Sequence, residues 1–324
     1  MRNQILMHLR KADGKFVSGE DLARKLGVSR TAIWKHMSDL KEQGYEIESQ
    51  TRQGYRMISS PDRLLSEEIA HNLGTKVVGV EVHSFSTIDS TNEEAKRHID
   101  KLVDGAVLVA ESQTGGKGRL DRSFYSPTGG IYFSLILKPD FLPQEASKCT
   151  LMAAVAVAKA MRTLGYEVGI KWPNDILSKR GKKLAGILTE MSAELDRINY
   201  IVIGIGINAN IHQAEFPEDL QHKASSLMEE FNQGHEISRL TLLKEVLREL
   251  DRSYLEVQAK GFSDILDEWK KLSYTLHHKV EVVESLPKNS FKGMAMDISD
   301  DGGLLVDYEG KLVEVIAGDV SIML

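Results

Sequence analysis

The chain has 324 residues, 42% of them hydrophobic and 27% charged, as expected of a folded protein with two or three domains. Its single cysteine, Cys149, excludes an intramolecular disulfide and fits a reducing cytoplasm, and its apolar neighbours predict a buried core position. No signal peptide is visible, and the longest apolar run, 151–158, is far shorter than the ~20 residues that a membrane span needs.

The first 60 residues have the charge and pattern of a nucleic-acid-binding domain. They carry 11 Lys/Arg against 7 Asp/Glu, whereas the chain as a whole has a net charge of −6. Two short amphipathic helices meet at Gly27, with Ser18 placed to cap the first and Ser29 the second. The pattern predicts a helix-turn-helix that begins at Gly19 and ends at Ser38.

The second of these helices divides into two faces. Ile33, Met37 and Leu40 predict its buried face, while Trp34 fits either the core or a DNA contact. A hairpin with its turn at 53–54 follows, as in the wing of a winged helix-turn-helix. Together the exposed helix face and the hairpin supply the predicted DNA-binding residues, which are Arg30, Thr31, Lys35, His36 and Arg52. The alternative is a small three-helix packing module or a partner-binding domain.

Beyond a predicted linker at 59–62, short runs rich in Val, Ile and Leu alternate with helical patterns. The predicted strands are 77–83, 106–110, 131–137, 168–172, 184–191 and 200–207. The predicted helices are 64–73, 91–99, 147–164 and 239–260. The last fifty residues return to short strands, with turns at 301–303 and 309–310.

The predicted fold class is therefore α+β and multidomain. It comprises a winged helix-turn-helix head at 1–60, a central mixed α/β domain at 65–273 and a small SH3-like β-barrel at 274–324.

The loop from Gly115 to Phe124 combines flexibility with positive charge. Three glycines in four positions free the backbone, and Lys117, Arg119 and Arg122 surround them. Free N–H groups and guanidinium groups suit a phosphate or acyl-phosphate anion. A solvated linker is the alternative, but it gives no reason for cations at this spacing.

Two common nucleotide-binding motifs do not fit the chain. A P-loop requires Ser or Thr after its lysine, where this chain has Gly118. The segment 204–209 satisfies G-x-G-x-x-A, but no apolar helical pattern follows it, which makes a dinucleotide site a weak interpretation.

Four further stretches complete a pattern with the loop. They are DSTN at 89–92, KWPND at 171–175, GKKLAGIL at 181–188 and GIGIN at 204–208. Together these motifs resemble the catalytic domain of biotin protein ligases. With the helix-turn-helix head, the chain resembles the bifunctional members of that family, the biotin operon repressors, over nearly its whole length.

The resemblance implies a two-step, ATP-dependent ligation. Biotin and ATP give biotinyl-5′-AMP, and the biotinyl group passes to a lysine of the biotin carboxyl carrier domain of a biotin-dependent carboxylase. Because both steps build negative charge, fixed cations are needed. The implied catalytic residues are Lys183, Arg119 and Arg122. Mg²⁺ arrives with ATP, and Asp175 is its candidate ligand, a strand-end cap being the alternative role.

The resemblance also assigns two groups of binding residues. For biotin they are Ser90, Thr91, Asn92, Gln113, Gly116, Lys117, Gly118, Arg119, Lys183, Gly186 and Gly204. For ATP and the adenylate they are Arg119, Arg122, Phe124, Asn174 and Asn208.

The resemblance further implies regulation by the intermediate. Biotinyl-5′-AMP acts as corepressor, orders the loop and favours a homodimer, so that two heads bind two half-sites of operator DNA. The chain is expected in the cytoplasm, with no membrane partner.

The loop departs from the family pattern G-R-G-R-x-x-R-x-W at two positions. Lys117 keeps the charge of the first arginine but loses its bidentate fork, and Phe124 keeps an aromatic ring without the indole N–H. Three alternatives stay open at this point: a ligase whose head does not bind DNA, a ligand-sensing regulator without catalysis, and a ligase that uses lipoate.

Overall fold

Residues 1–63 and 64–324 form two separate units in the computed structural model, which describes residues 1–120, 122–283 and 290–323. Asp121, within the predicted anion-binding loop, and parts of the predicted C-terminal barrel (284–289 and 324) therefore lie outside the described residues. Within the described ranges, no helix combines the length and the apolar composition needed to cross a bilayer.

The first unit contains three helices followed by a hairpin, as predicted. Its elements are α1 (Arg2–Lys11), α2 (Gly19–Leu26), α3 (Arg30–Glu42), β1 (Glu46–Gln50) and β2 (Gly54–Ser59). The hydroxyl of Ser18 accepts from the backbone N–H of Glu20 at 3.2 Å, and that of Ser29 from Ala32 at 3.1 Å. Gly27 ends α2 in the left-handed conformation, with φ 67°. Local capping therefore sets the turn between the two helices.

The hairpin is joined to the chain between α1 and α2. Val17 and Tyr55 exchange two backbone hydrogen bonds of 2.8 and 2.9 Å. Gly54 has φ 108°, and a Cβ there would lie 2.0 Å from the carbonyl oxygen of Val17. Only glycine fits this position, so Gly54 fixes the place of the hairpin within the unit.

The second unit is built on a seven-stranded mixed sheet. Its strands are β3 (Val82–Phe85), β4 (Val107–Ala110), β5 (Ile131–Leu137), β6 (Val168–Lys171), β7 (Asp175–Ser178), β8 (Lys183–Ala193) and β9 (Ile198–Ile207). They are arranged in the order β3-β4-β5-β9-β8-β7-β6. The pair β3–β4 is parallel, and the other neighbours are antiparallel.

Helices cover both faces of this sheet. The helices are α4 (Ser66–Ala70), α5 (Thr91–Arg97), α6 (Ala146–Thr163), α7 (Glu218–Gln221), α8 (Leu227–Phe231), α9 (Arg239–Lys260) and α10 (Ser263–Leu272). Helix α6 packs on one face and is itself covered by α9 and α10, so it is buried nearly all round, as its apolar composition predicted. Helix α5 packs on the opposite face, against a separate apolar cluster that includes Leu108, Ile136 and Val202.

The C-terminal residues form a second, smaller sheet, which confirms the predicted β tail. Its strands are β10 (Lys279–Val283), β11 (Ser290–Ile298), β12 (Leu304–Tyr308), β13 (Lys311–Val315) and β14 (Asp319–Ile322). All neighbours are antiparallel, in the order β13-β12-β11-β10-β14. Val280, Val282 and Val306 alternate with half-buried or exposed residues and pack into the core of the unit.

Two predicted elements differ from the structure in their bounds. The predicted strand at 77–83 is formed only at Val82–Phe85, because the carboxylate of Asp251 accepts hydrogen bonds from the backbone N–H groups of 76, 77 and 78. A side chain there takes the place of a neighbouring strand. The predicted helix at 64–73 is shorter, Ser66–Ala70. The strand β7 and the helices α7, α8 and α10 were not predicted from the sequence.

Candidate functional site

A cavity of about 1260 Å³ lies on the α5 face of the central sheet. Every second residue of strands β5, β8 and β9 points to this face of the sheet, and residues at these positions form the floor of the cavity. On the floor, Gly186 pairs with Gly206, and Gly204 pairs with both Leu188 and Ser134. A Cβ at Gly204 would lie 2.3 Å from Asn92 Oδ1, and one at Gly206 would lie 2.4 Å from the Phe124 ring. The glycines therefore let side chains of α5 and of the loop lie directly on the sheet.

One end of the cavity is a buried hydrogen-bond network. Thr91 and Asn92 are 3% and 4% exposed, so their polar atoms need partners. The backbone N–H of Thr91 donates to Gln113 Oε1 at 2.9 Å, and Gln113 Nε2 donates to the Ser126 hydroxyl at 3.0 Å. Ser90 caps α5 through its hydroxyl. These groups present fixed donors and acceptors to a ligand.

Asn92 is held from two sides within this network. Its Oδ1 lies 2.5 Å from the hydroxyl of Ser134, which is fully buried, and its Nδ2 donates to Glu190 Oε2 at 2.7 Å. Lys96 in turn donates to Glu190 at 2.9 Å. The orientation of the Asn92 amide is thus set by the side chains of Ser134 and Glu190.

The other end of the cavity is cationic. Lys183 lies 2.6 Å from Asp175, with the two side chains 33% and 17% exposed. Arg119 Nη1 donates to Asn174 Oδ1 at 3.3 Å. Burial lowers the pKa of both Arg119 and Lys171, which also line the cavity. A cluster of partly desolvated cations suits an anion with several negative oxygens.

The predicted anion-binding loop covers the cavity and is anchored by ion pairs. Lys117 Nζ lies 2.5 Å from Glu93 Oε1, and the lysines 117 and 96 hold the pKa of Glu93 below its ordinary value. The Phe124 ring lies edge-on to Tyr132, with centroids 6.4 Å apart, and 5.8 Å from Lys183 Nζ. The loop is therefore folded onto the cavity.

The small C-terminal sheet also contributes to this cavity. Arg122 forms an ion pair with Asp319, and Arg119 Nη2 donates to the backbone carbonyl of Gly318 at 3.3 Å. Asp319, Ser321 and further residues of β14 line the cavity. The loop arginines thus meet a strand almost two hundred positions further along the chain.

The first unit presents a basic face on α3. Arg30, Thr31 and Lys35 are exposed, as predicted, and Trp34 is 64% exposed, which excludes a core position. His36 differs from the prediction of an exposed residue, because it is half-buried and lies 3.8 Å from Asp39.

The hairpin adds one exposed cation to this unit. Arg52 is exposed at the turn between β1 and β2, with φ 69°. Arg56, on β2, instead pairs with Glu48 and stacks at 4.7 Å on the ring of Phe16. Of these two arginines, Arg52 is therefore the one that the fold leaves open to a ligand.

Comparison with known families and proteins agrees with both units. An HTH domain model matches residues 1–56, a model of the biotin/lipoate A/B protein ligase family matches 84–208, and a model of the biotin protein ligase C terminal domain matches 281–323. The bifunctional ligase/repressor BirA of Bacillus subtilis is 36% identical over 99% of this chain and 98% of its own length. That of Escherichia coli K12 is 32% identical over 96% and 94%.

The chain belongs to the bifunctional biotin ligase/repressor family. A solved structure of the biotin protein ligase from Aquifex aeolicus, in complex with biotin and ATP, superposes with a TM-score of 0.65 and 28% identity, over 75% of this chain and 99% of that protein. Its apo structure gives a TM-score of 0.61 at 26% identity. The predicted ligase activity and the predicted repressor function are thus confirmed at the level of the family.

Within this ligase fold, nearly all the predicted site residues meet at one cavity. Those that line it are Ser90, Thr91, Asn92, Gln113, Gly116, Lys117, Gly118, Arg119, Arg122, Phe124, Asn174, Asp175, Lys183, Gly186 and Gly204. Asn208 is the exception, because it is 4% exposed and its Nδ2 donates to the backbone carbonyls of Ser225 and Lys183 at 3.1 and 3.3 Å. It joins β9 to the chain beyond it, and its predicted contact with ATP is not supported.

Sequence reasoning missed several residues of this ligase site. Ser134 and Glu190 form hydrogen bonds with Asn92, and residues of β14 line the cationic end of the cavity. A serine within the otherwise apolar run at 131–137 was a detectable anomaly, whereas nothing local marks Asp319. Among the described residues, no group of three or more His, Cys, Asp and Glu side chains is placed to hold a metal ion.

Proposed function

We propose that this ligase activates biotin with ATP and transfers the biotinyl group to a lysine of a biotin carboxyl carrier domain. The observation that carries the proposal is the single cavity with a hydrogen-bonding end, a glycine floor and a cationic end. This order matches the ureido ring, the flat body and the carboxylate of biotin, with the nucleotide beyond it.

In the first step, a carboxylate oxygen of biotin attacks the α-phosphorus of ATP and pyrophosphate leaves with the bonding electrons of the broken P–O bond. Lys183 neutralises the approaching carboxylate and phosphate, and Arg119 and Arg122 bind phosphate oxygens with their guanidinium forks. Asp175 holds Lys183 and Asp319 holds Arg122 in place until phosphates replace them, while Asn174 and the carbonyl of Gly318 orient Arg119.

In the second step, the amine of the acceptor lysine attacks the carbonyl carbon of the mixed anhydride. An amide bond forms, AMP leaves with the electrons of the broken C–O bond, and the amine loses a proton. The negative charge that develops on the carbonyl oxygen and on AMP again lies at the cationic end, near Lys183 and Arg119.

Mg²⁺ fits this site as a companion of ATP and not as a resident ion. Asp175 offers a single carboxylate, 17% exposed and paired with Lys183, and Mg²⁺ often uses one carboxylate together with substrate phosphates. When bound, the ion neutralises phosphate charge. Asp175 would hold it.

A specific observation favours biotin over lipoate as the acid. Thr91, Asn92 and Gln113 line the cavity with polar atoms that bond to one another and to neighbouring side chains. The ureido N–H and C=O groups of biotin can add hydrogen bonds to these atoms, whereas a dithiolane ring has no groups that could do so.

The same liganded chain is proposed to be the repressor. Biotinyl-5′-AMP orders the loop and acts as corepressor, the chain dimerises, and two heads place Arg30, Thr31, Lys35 and Arg52 against operator DNA. We propose domain limits of 1–60, 65–273 and 274–324. The buried cysteine fits a cytoplasmic location.

Transfer of labelled acid to a carrier domain tests the ligase proposal. Parallel reactions with biotin and with lipoate, each with ATP, are expected to label the carrier with biotin alone. Labelling by lipoate only would replace the substrate, and no labelling by either acid would refute the enzymatic proposal.

A gel shift tests the switch, with duplex DNA from the chain's own upstream region. Biotin plus ATP is expected to tighten binding, with a steep dependence on salt. Equal affinity with and without the ligands would rule out regulation by the adenylate.

A further inference from the structure

We propose that Trp34 reads a thymine in each operator half-site, through apolar contact between its indole ring and the C5-methyl group. The inference rests on the proposed binding of DNA by α3. It concerns a residue whose role the sequence pattern left open between the core and DNA.

The position of Trp34 on α3 places it among the residues proposed to meet DNA. It lies four positions after Arg30 and three after Thr31, a spacing that puts side chains on one helix face. Ile33 and Met37 are instead buried, at 0% and 2% exposed. Trp34 is the fifth residue of the helix, and base edges are contacted by the N-terminal part of a recognition helix.

The exposure of this indole ring is unlike that of the other two tryptophans. Trp34 is 64% exposed, whereas Trp172 and Trp269 are 3% and 0% exposed. Arg30 and Lys35 on either side are exposed too, and within the described residues neither forms an ion pair. Two free cations around an apolar ring are complementary to a ligand that carries phosphates and an apolar group together.

DNA supplies that combination in its major groove. The thymine methyl is the apolar group that a base pair presents there, whereas the other groups on base edges are hydrogen-bond donors and acceptors. An indole ring has one N–H donor and no acceptor, so most of its surface gains only from apolar contact. The thymine methyl group is therefore a suitable partner for the Trp34 ring, while Arg30 and Lys35 are suitable partners for the phosphates of the DNA backbone.

The experiment uses a duplex probe that the full-length protein selects from a random pool in the presence of biotin, ATP and Mg²⁺. Each thymine of the probe is then replaced in turn by deoxyuridine, which removes one methyl group. We expect one thymine per half-site at which this replacement weakens wild-type binding about four-fold, as burial of about one methyl group predicts. The same replacement should have no effect on Trp34→Ala, and Trp34→Phe should keep most of the effect.

Two controls separate base contact from general damage. Trp34→Ala should retain the wild-type melting temperature, because the side chain is exposed, and the wild-type slope of binding against salt, because no phosphate contact is removed. Arg30→Ala should instead lower that slope by about one.

The outcomes distinguish this inference from the proposed repressor function. If the wild type selects no duplex, the proposed repressor function and the inference on Trp34 are both refuted. If it binds DNA but every deoxyuridine costs the same in the wild type and in Trp34→Ala, the inference alone is overturned. It is also overturned if Trp34→Ala abolishes dimerisation while the deoxyuridine effect persists, since the ring would then contact protein.

Discussion

Replacing Gly204 by alanine should damage the biotin end of the cavity while leaving the nucleotide end intact. The new Cβ would lie 2.3 Å from Asn92 Oδ1 and 2.9 Å from its Cγ, closer than real Cβ contacts. The backbone of Gly204 does not have positive φ and accepts alanine, so the clash with Asn92 is the whole perturbation.

The size of the effect follows from what Asn92 must give up. It is held by Ser134 at 2.5 Å and by the carboxylate of Glu190 at 2.7 Å, so it cannot move without losing both hydrogen bonds. A neutral hydrogen bond contributes about 1 kcal/mol and one to a charged group about 1.5–3 kcal/mol. Gly204→Ala should therefore destabilise this unit by about 2.5–4 kcal/mol and weaken biotin binding roughly five-fold, the equivalent of one lost hydrogen bond.

Two measurements check this expectation. Calorimetric titration with biotin, without ATP, gives the Kd, and unfolding followed by the fluorescence of the buried Trp172 and Trp269 gives the stability of residues 64–324. Gly206→Ala is the matched control on the same strand, because its Cβ meets Phe124 of the loop and not Asn92. It leaves the hydrogen bonds of Asn92 intact, so its effect on stability should add to that of Asn92→Ala.

The double variant Asn92→Ala/Gly204→Ala decides whether the clash is the cause. Truncating Asn92 removes the atoms that the new methyl group meets, so the double variant should be about as stable as Asn92→Ala alone, while its biotin affinity stays low. Additive losses of stability, or wild-type biotin affinity in Gly204→Ala, would refute the proposed role of Asn92.

Three further predictions follow from single contacts. Lys183→Met should slow single-turnover biotinylation of the carrier domain about 10²–10³-fold, because a cation at the reacting centre is lost. The Kd for biotin should change by no more than a few-fold. A weaker Kd for biotin with an unchanged rate would contradict the catalytic role. Glu93→Gln removes the ion pair with Lys117. Since both groups are partly exposed, the rate of adenylate dissociation, measured in a stopped-flow chase, should rise only about two-fold. At high salt the wild type and the variant should release the adenylate at the same rate. Because the pKa of Glu93 is lowered on folding, this pair is complete at pH values above its ordinary 4.5 and is lost as the pH falls below it, where wild type and variant should converge. Burial raises the pKa of Cys149 to about 12, so iodoacetamide at pH 8 should label it only after unfolding in urea, as mass spectrometry would show; rapid labelling of the native protein would mean that α6 is not packed as described.

Local sequence signals were enough to predict helix ends that are capped by nearby residues and strands that are apolar along their whole length. Ser29 and Gly27 fix the turn of the helix-turn-helix through contacts within a few positions, and the apolar run at 131–137 forms a strand with the predicted bounds. The strand predicted at 77–83 does not form in the segment before β3. The carboxylate of Asp251, far along the chain, accepts hydrogen bonds from the backbone N–H groups of that segment.

The sequence by itself also determined the chemistry of the loop, because three cations and three glycines within eight positions suit an anion wherever the fold places them. Only the tertiary structure decided that Ser134 and Glu190 orient Asn92 and that Asp319 pairs with Arg122. It also placed the Asn208 amide against the backbone carbonyls of Ser225 and Lys183, at the end of a strand. These outcomes depend on which side chains the sheet and its neighbours bring together from distant positions, and such long-range pairing leaves no periodic trace in the chain.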